Sequence, residues 1–512
     1  MKKIFVSLVL AFGIAAASDV LNFATSKNVG PLNPHLYSPN EMFAQDMVYE
    51  GFVDYSNNHE IVPSLATEWS IENDGKSYVF KLREGVVFSN GEKFDANAVK
   101  ANFDALQANK GRHKWLELNN LIENYEVVND FTFKLNLSSA YEPTLRELAI
   151  IRPFKFIAPS AMIDKNTKEG IKEAIGTGPW MLVETKEGVS DTFKRNEKYW
   201  GDKPKLAKIV AKIIPDPNSK VLALRSGEVD YVYGLGQIPL DAFKSFEKEG
   251  YSTIISKPLI TLAITINSGR DILKDTRVRK ALSMAINKDD IVEHIFLGTQ
   301  PRADYLYASD VRFSKVDLAP YSFNREKAAA LLKEAGWKME KDKLTKDGKS
   351  FEVELSFLGS DAIQKAIGEV YQAELKKLGI TLNLKAEENT IFYSKQKEGK
   401  FDLIYNETWG APYDPESFLS SMRLPAHADF AAQKGLKNKA QIDEKIAKAL
   451  SPITNEEKIA IVKEVLNELH DEAVYIPVVY PTNKGVGISK LKGLNSSIIK
   501  QRIPFSSLYF EK

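Results

Sequence analysis

The densest run of chemically capable side chains in the sequence lies between Trp409 and Phe430. These 22 residues carry an indole, a phenol at Tyr413, a guanidinium at Arg423 and an imidazole at His427. An imidazole nitrogen can ligate a metal, and indole and phenol rings can cover a flat ligand and shut out water. Prolines at 412, 415 and 425 restrict the backbone, so these groups can be held ready before a ligand arrives. By composition alone the stretch reads first as an ordinary surface loop with a few buried aromatics. Two arginines bear on the choice. Arg112 sits in Gly111-Arg112-His113-Lys114-Trp115, a basic cluster ending in an aromatic, and Arg152 follows an apolar run. A solvated helix end accounts for the cluster, and a structural ion pair accounts for either arginine.

Other chemistries find little footing. The absence of cysteine excludes a cysteine nucleophile, a zinc–thiolate site and a disulfide framework. There is no His-Glu-x-x-His and no Gly-x-Ser-x-Gly, and the six histidines do not cluster, which leaves a hydrolase only a triad assembled in space. His59 sits in a polar turn, His294 and His470 on helices followed by apolar runs, and His113 beside Arg112. All four read as structural, while His35 is open.

The elements that must position these groups follow from periodicity. Leu21 to Ser26 reads as a strand, prolines flanking Asn33 extend the chain toward Tyr37, and a helical pattern from about Asn40 carries Met42, Met47 and Val48. Met42 reads first as core, since methionine fills irregular apolar gaps. Tyr78, Phe80 and Leu82 alternate as a strand, Asp95 caps a helix bearing Val99, Phe103 and Leu106, and Tyr125 to Leu137 forms a hairpin turning at Asn129-Asp130. A second unit begins near residue 260. In it Phe351 to Phe357 alternates as a strand, Ile363 to Leu378 lines a helix, and Ile380 to Leu384 alternates again. That spacing is a βαβ unit, with a right-handed crossover and a partly parallel sheet. The stretch from Trp409 leaves the end of the next strand, Leu403-Ile404-Tyr405, where ligands of α/β sheets gather. Val474 to Ile488 reads as strand once more.

At 512 residues, 44% hydrophobic and 27% charged, the chain is a globular α/β protein of at least two domains. Residues 1–17, with Lys2-Lys3, an apolar run and Ala15-Ala16-Ala17, read as a secretory signal peptide, leaving Ser18 first in the mature chain. Removing two lysines from 69 basic residues leaves 67 against 68 acidic ones, a net charge of −1, so no nucleic-acid or anionic-membrane partner is expected. With no cysteine to carry a lipid anchor, the expected location is the periplasm of a double-membraned bacterium.

Several motifs together resemble one family. Glu68-Trp69-Ser70, Asn73-Asp74-Gly75-Lys76, Phe80-Lys81-Leu82-Arg83, Phe88-Ser89-Asn90-Gly91, Gly176-Thr177-Gly178-Pro179-Trp180 and Arg195-Asn196-Glu197-Lys198-Tyr199-Trp200 are similar to those of the extracytoplasmic solute-binding proteins of peptide and nickel ABC importers, across essentially the whole mature chain. Within that family Asn33-Pro34-His35-Leu36-Tyr37, Arg112-His113-Lys114-Trp115 and Trp409 to Phe430 resemble the nickel-binding members. The resemblance implies a two-lobed periplasmic binding protein fold with mixed sheets and a ligand cleft. Lobe one would be residues 18–260 with 482–512 returning to it, and lobe two 261–481. It implies no enzymatic activity. Tyr37, Met42, Arg112, Trp115 and Arg152 would stand on one wall, and Trp409, Tyr413 and His427 on the other.

It further implies a cargo of nickel(II) held by a small chelator such as two L-histidines, with His427 ligating the metal, and delivery by a monomeric protein to a membrane permease. Nickel(II) often takes six nitrogen and oxygen donors, more than one imidazole supplies, so the chelator must bring the rest. Arg112 and Arg152 could then grip chelator carboxylates as charge-assisted forks, with Trp115, Trp409 and Tyr413 covering the rings. Affinity is expected to fall as pH drops through about 6.5, where an ordinary imidazole protonates. The chief rival is a dipeptide or oligopeptide carrier. Such members usually carry an aspartate three residues after the loop tryptophan; here that position is Pro412, and Asp414 could compensate only in part. Ser38 and Gln501 stand where the best-known nickel binders have threonines.

Overall fold

The computed structural model describes residues 19–36, 41–425 and 427–511. The expected signal segment 1–17, Tyr37 and Ser38 lie outside the described residues.

The alternating strands of the first half assemble into a seven-stranded mixed sheet. Its order is Trp180–Lys186, Ser190–Arg195, Lys208–Ile213, Val20–Thr25, Tyr231–Gly234, Lys484–Gly487 and Ser252–Ile255. Val20–Thr25 runs parallel to both its neighbours, and the remaining pairs are antiparallel. A separate four-stranded antiparallel sheet, Ala66–Glu72, Ser77–Leu82, Thr132–Leu137 and Ile122–Asn129, contains the expected hairpin. Helix Ala96–Ala108 packs on it, and Asp95 accepts from the amides of Asn97 at 2.9 Å and Ala98 at 3.0 Å. Such a cap is worth about 1 kcal/mol. The layer between is aromatic: Phe52 stacks on Phe80 at 4.2 Å, and Phe103 meets Phe133 at 5.2 Å. This module is joined closely to the large sheet. A Cβ on Gly176 would lie 2.0 Å from the Val48 carbonyl oxygen, an approach only glycine permits.

The second unit is a five-stranded mixed sheet ordered Thr381–Glu387, Glu352–Leu358, Leu403–Glu407, Leu262–Ile266 and Tyr475–Val479. Its first three strands are parallel, with Glu352 in register with Thr381, as the βαβ reading requires, and helix Ala362–Lys377 connects them. The unit has its own apolar core, including Ile264, Leu355, Tyr371 and Leu403. The core of the first unit, around Phe23 and Phe80, runs on into Phe418, Leu466 and Tyr475 of the second, and the two mixed sheets give the two-lobed architecture that the resemblance implies.

Two segments differ from the reading of the sequence. Val474 to Ile488 is not one strand: Tyr475–Val479 belongs to the five-stranded sheet and Lys484–Gly487 to the seven-stranded one. Pro481 has no amide to continue a ladder, and the chain crosses between sheets at Tyr480 to Asn483. There it meets the other crossing. Leu259 donates to the Pro481 carbonyl at 3.0 Å, and Ser256 and Asn483 exchange bonds of 3.0 and 2.8 Å. The loop from Trp409 is also more regular than expected, containing the short helices Glu416–Ser421 and Ala428–Gln433. Pro415 precedes the first, where a missing N–H costs no helical hydrogen bond.

Candidate ligand-binding site

Beyond the strand Leu403–Glu407 the chain turns sharply, and Asp414 makes the turn. Its carboxyl is buried and accepts from the amides of Trp409 at 3.2 Å and Gly410 at 2.8 Å. Burial pushes its pKa up to about 7, against the pull of those hydrogen bonds. Gly410 has φ 77°, and a Cβ there would stand 2.6 Å from the Leu259 carbonyl oxygen on the first crossing. Thr408 and Thr261 add bonds of 3.1 and 3.0 Å between loop and crossing. The loop is thus fastened to the segment that joins the two units.

This turn places Trp409, Tyr413 and His427 along one side of a cavity of about 550 Å³. Arg152, Lys500 and Gln501 enter it from the first unit. His427 and Trp409 meet edge to face at 5.3 Å between ring centroids. Trp409 lies 5.8 Å from Trp115 and 6.0 Å from Tyr413, and Trp115 lies 6.2 Å from Tyr413, so three large rings from two units form one cluster. Burial pushes the Tyr413 phenol up to about 12, with Arg152 opposing, so the phenol is neutral and able to donate. Burial also holds the His427 imidazole below its ordinary 6.5, which moves the expected loss of metal ligation to lower pH than the sequence reading placed it.

The remaining expected site residues are placed as follows. Arg112 is exposed on the short turn Lys110–His113 and does not line this cavity. Met42 lines a neighbouring chamber of about 310 Å³ that shares Lys500 and Gln501 with the first. Tyr37 lies outside the described residues. His35 is buried with both ring nitrogens engaged: Nε2 donates to the Lys155 carbonyl at 3.1 Å and Nδ1 accepts from the Thr167 hydroxyl at 3.1 Å. Its pKa is lowered by burial to about 4, and it is a structural histidine. His113, whose Nε2 donates to the His35 carbonyl at 2.8 Å, and His470, stacked on Tyr321 at 4.8 Å, are structural too.

Several lining residues had no local signal. Lys500 reaches the cavity because the tail returns to the first unit, and its ammonium pairs with Glu407 across the gap at 2.8 Å. Asp361, whose Oδ1 caps the helix by accepting from Ile363 and Gln364 at 2.9 and 3.0 Å, and the amides Gln364, Gln396 and Asn406 complete the far wall. Among the described residues, no three His, Asp or Glu side chains stand together in an arrangement able to hold a metal ion. Asp414, the carboxylate that would have favoured a peptide ammonium, does not reach the lining.

The family model of bacterial extracellular solute-binding proteins, family 5, matches residues 60–430. The chain is 43% identical to the nickel-binding periplasmic protein of Escherichia coli over 96% of its length and 95% of the relative's. It is 24% identical to the dipeptide-binding protein of the same organism over 94% of its length and 93% of the relative's. Among solved structures, NikA from Brucella suis in complex with Fe(III)-EDTA superposes with a TM-score of 0.94 at 47% identity, covering 96% of this chain and 100% of that one. The chain belongs to the family 5 bacterial extracellular solute-binding proteins.

Proposed function

We propose that the protein captures nickel(II) in the periplasm as a complex with small organic chelators, such as two L-histidines, and hands it to an ABC permease. The observation that carries this reading is the donor set of the cavity. One half-buried imidazole stands among flat rings, with Arg152 on the same lining. The two carboxylates on that lining are engaged, Glu407 with Lys500 and Asp361 with helix amides. A divalent ion needing several nitrogen and oxygen donors must therefore bring most of them with it. The Brucella relative, crystallised with a metal–EDTA chelate, supports a chelated cargo.

In this reading His427 ligates the metal and Arg152 grips a chelator carboxylate, with Arg112 adding positive charge further out. Trp115, Trp409 and Tyr413 cover the chelator rings, and Met42 belongs to the wall of the first lobe. The lobes, 18–260 with 482–512 and 261–481, close about the two stitched crossings, and the monomer in its closed form docks on the permease. A peptide cargo fits less well, because Asp414 is spent on the loop's own amides and a buried ammonium would go unmatched.

Calorimetry tests the reading directly. The native protein should bind nickel with L-histidine tightly and bare nickel weakly, and His427→Ala should lose at least tenfold in affinity for the chelate. Tight binding of bare nickel, or unchanged affinity in the variant, would overturn it.

A further inference from the structure

Three side-chain amides of the second unit line the 550 Å³ cavity, and a partner behind each one sets which end it turns outward. Gln396, on helix Asn389–Glu398, donates its Nε2 to the Tyr405 carbonyl at 2.9 Å. Asn406, on the strand Leu403–Glu407, donates its Nδ2 to both oxygens of the buried Asp429 carboxylate, at 3.1 and 3.2 Å. An ionised carboxylate and a backbone carbonyl only accept, so both amides must keep their nitrogens toward the protein. Each planar amide then carries its oxygen on the opposite side, toward the cavity. Gln364 is turned the other way: its Oε1 accepts from the Leu358 amide at 3.0 Å, which leaves its nitrogen for the cavity. The wall thus sets two carbonyl oxygens, from Gln396 and Asn406, against the Arg152 guanidinium that enters from the first unit.

We infer that Gln396 and Asn406 are specificity-determining residues whose fixed carbonyl oxygens accept hydrogen bonds from amine or imidazole N–H groups of the chelator. This rests on the proposed chelate cargo and names a chelator class within it: amino acids and related amines whose N–H groups point away from their carboxylates. A histidine that coordinates through its amine, a carboxylate oxygen and Nπ turns its Nτ–H outward. The charge of the metal draws electron density from the ring and makes that N–H a stronger donor. An oxygen held ready in this way discriminates against an otherwise identical guest that lacks the donor, because a buried acceptor is then left unmatched. The Brucella relative bound to Fe(III)-EDTA holds a guest whose nitrogens carry no hydrogen, so these bonds add affinity and are not a condition of entry.

Calorimetry with two probes tests the inference: nickel with L-histidine, and nickel with Nτ-methyl-L-histidine, in which a methyl group replaces the outward hydrogen and the coordinating atoms are unchanged. The native protein should bind the L-histidine complex about tenfold more tightly. Gln396→Met and Asn406→Leu keep the volume and remove the acceptor; each should narrow the ratio, and the double variant should bring it to within about twofold. Equal affinities in the native protein would overturn the inference without any variant and leave the cargo reading standing. A native ratio that persists in the double variant would show that the methyl group is excluded by its bulk, and would overturn it as well. Asn406→Leu leaves the buried Asp429 with Tyr475 as its remaining side-chain donor. If that change prevents folding, Gln396→Met alone decides: a narrowed ratio sustains the inference and an unchanged one overturns it. If the native protein binds neither probe, the cargo reading fails first and takes the inference with it.

Discussion

Replacing Arg146 with methionine separates the energetics of cleft closure from those of folding. Arg146 lies on the short helix Thr144–Leu148 of the first unit, 3.3 Å from Glu416, which begins a helix of the second. The two side chains are 9% and 2% exposed, and neither Glu416 oxygen makes a directed hydrogen bond. Burial raises the Glu416 pKa, and Arg146 is the first charge opposing that rise. Removing the partner of a buried charge typically costs about 3–5 kcal/mol. Arg312, 4.0 Å from the same oxygen, remains and places the expectation near the lower end. The neighbouring contacts are of the same kind: Ser417 donates to Glu147 at 2.8 Å, Arg423 pairs with Glu117 at 2.9 Å, and Lys458 with Glu142 at 2.6 Å.

If these pairs form only when the lobes close, the open protein keeps Glu416 in water and the whole cost falls on binding. At 1.4 kcal/mol per decade, about 3 kcal/mol is roughly a hundredfold loss in cargo affinity, with the melting temperature of the ligand-free protein nearly unchanged. Adding Glu416→Gln should recover most of the affinity, because the stranded charge is then gone. Calorimetry with nickel and L-histidine, paired with thermal unfolding of ligand-free protein, reads both quantities. An unchanged affinity together with a melting temperature several degrees lower would show that this face stays packed in the open form and would refute the reasoning.

Gly410→Ala should destabilise the protein by more than about 1–3 kcal/mol in urea unfolding, since its φ of 77° disfavours a side chain and its Cβ would strike the Leu259 carbonyl. Asp414 and Glu147 are each pushed up to about 7 by burial. The folded state therefore holds protons that the unfolded chain has released, and stability present below pH 4 declines as pH rises through about 7. For Asp414 the decline is up to about 4 kcal/mol, and Asp414→Asn should flatten the slope between about pH 4 and 7. The His427 ring is held below 6.5 by burial, so its contribution is intact above that value and lost as pH falls through the lowered pKa. An NMR titration of ligand-free protein giving 6.5 or higher would contradict this.

What the sequence made legible was set by range. The caps at Asp95 and Asn324 are contacts over two or three residues, and the βαβ unit from Glu352 to Glu387 is one periodicity switching to another and back. Such signals sit within a window that side-chain chemistry alone can read. The cluster of Trp409, Tyr413 and His427 was readable for the same reason, because prolines and rings stand close together in the chain. The break inside Val474 to Ile488 falls at Pro481-Thr482-Asn483, but the sheet that each side joins is set by distant partners, Leu262–Ile266 for Tyr475–Val479 and Tyr231–Gly234 for Lys484–Gly487, which no local window carries.

The same division separates the kind of ligand from its selection. The rings and the imidazole on which the proposed function rests stand on one loop, close together in the chain. The contacts between the two sides join residues far apart in the chain, Lys500 to Glu407 over 93 residues and Ser417 to Glu147 over 270. Each of these residues, read alone, is an ordinary charged or polar surface residue. Asp414 makes the point from the other side: sequence proximity to Trp409 suggested a carboxylate for the ligand, whereas the amides of Trp409 and Gly410 had already claimed it. A carboxylate four residues beyond Gly410 satisfies buried N–H groups before it can serve a guest, because leaving those groups unpaired costs the fold directly. The bonds that fasten the loop are the same ones that occupy the carboxyl a peptide ammonium would need under the rival reading.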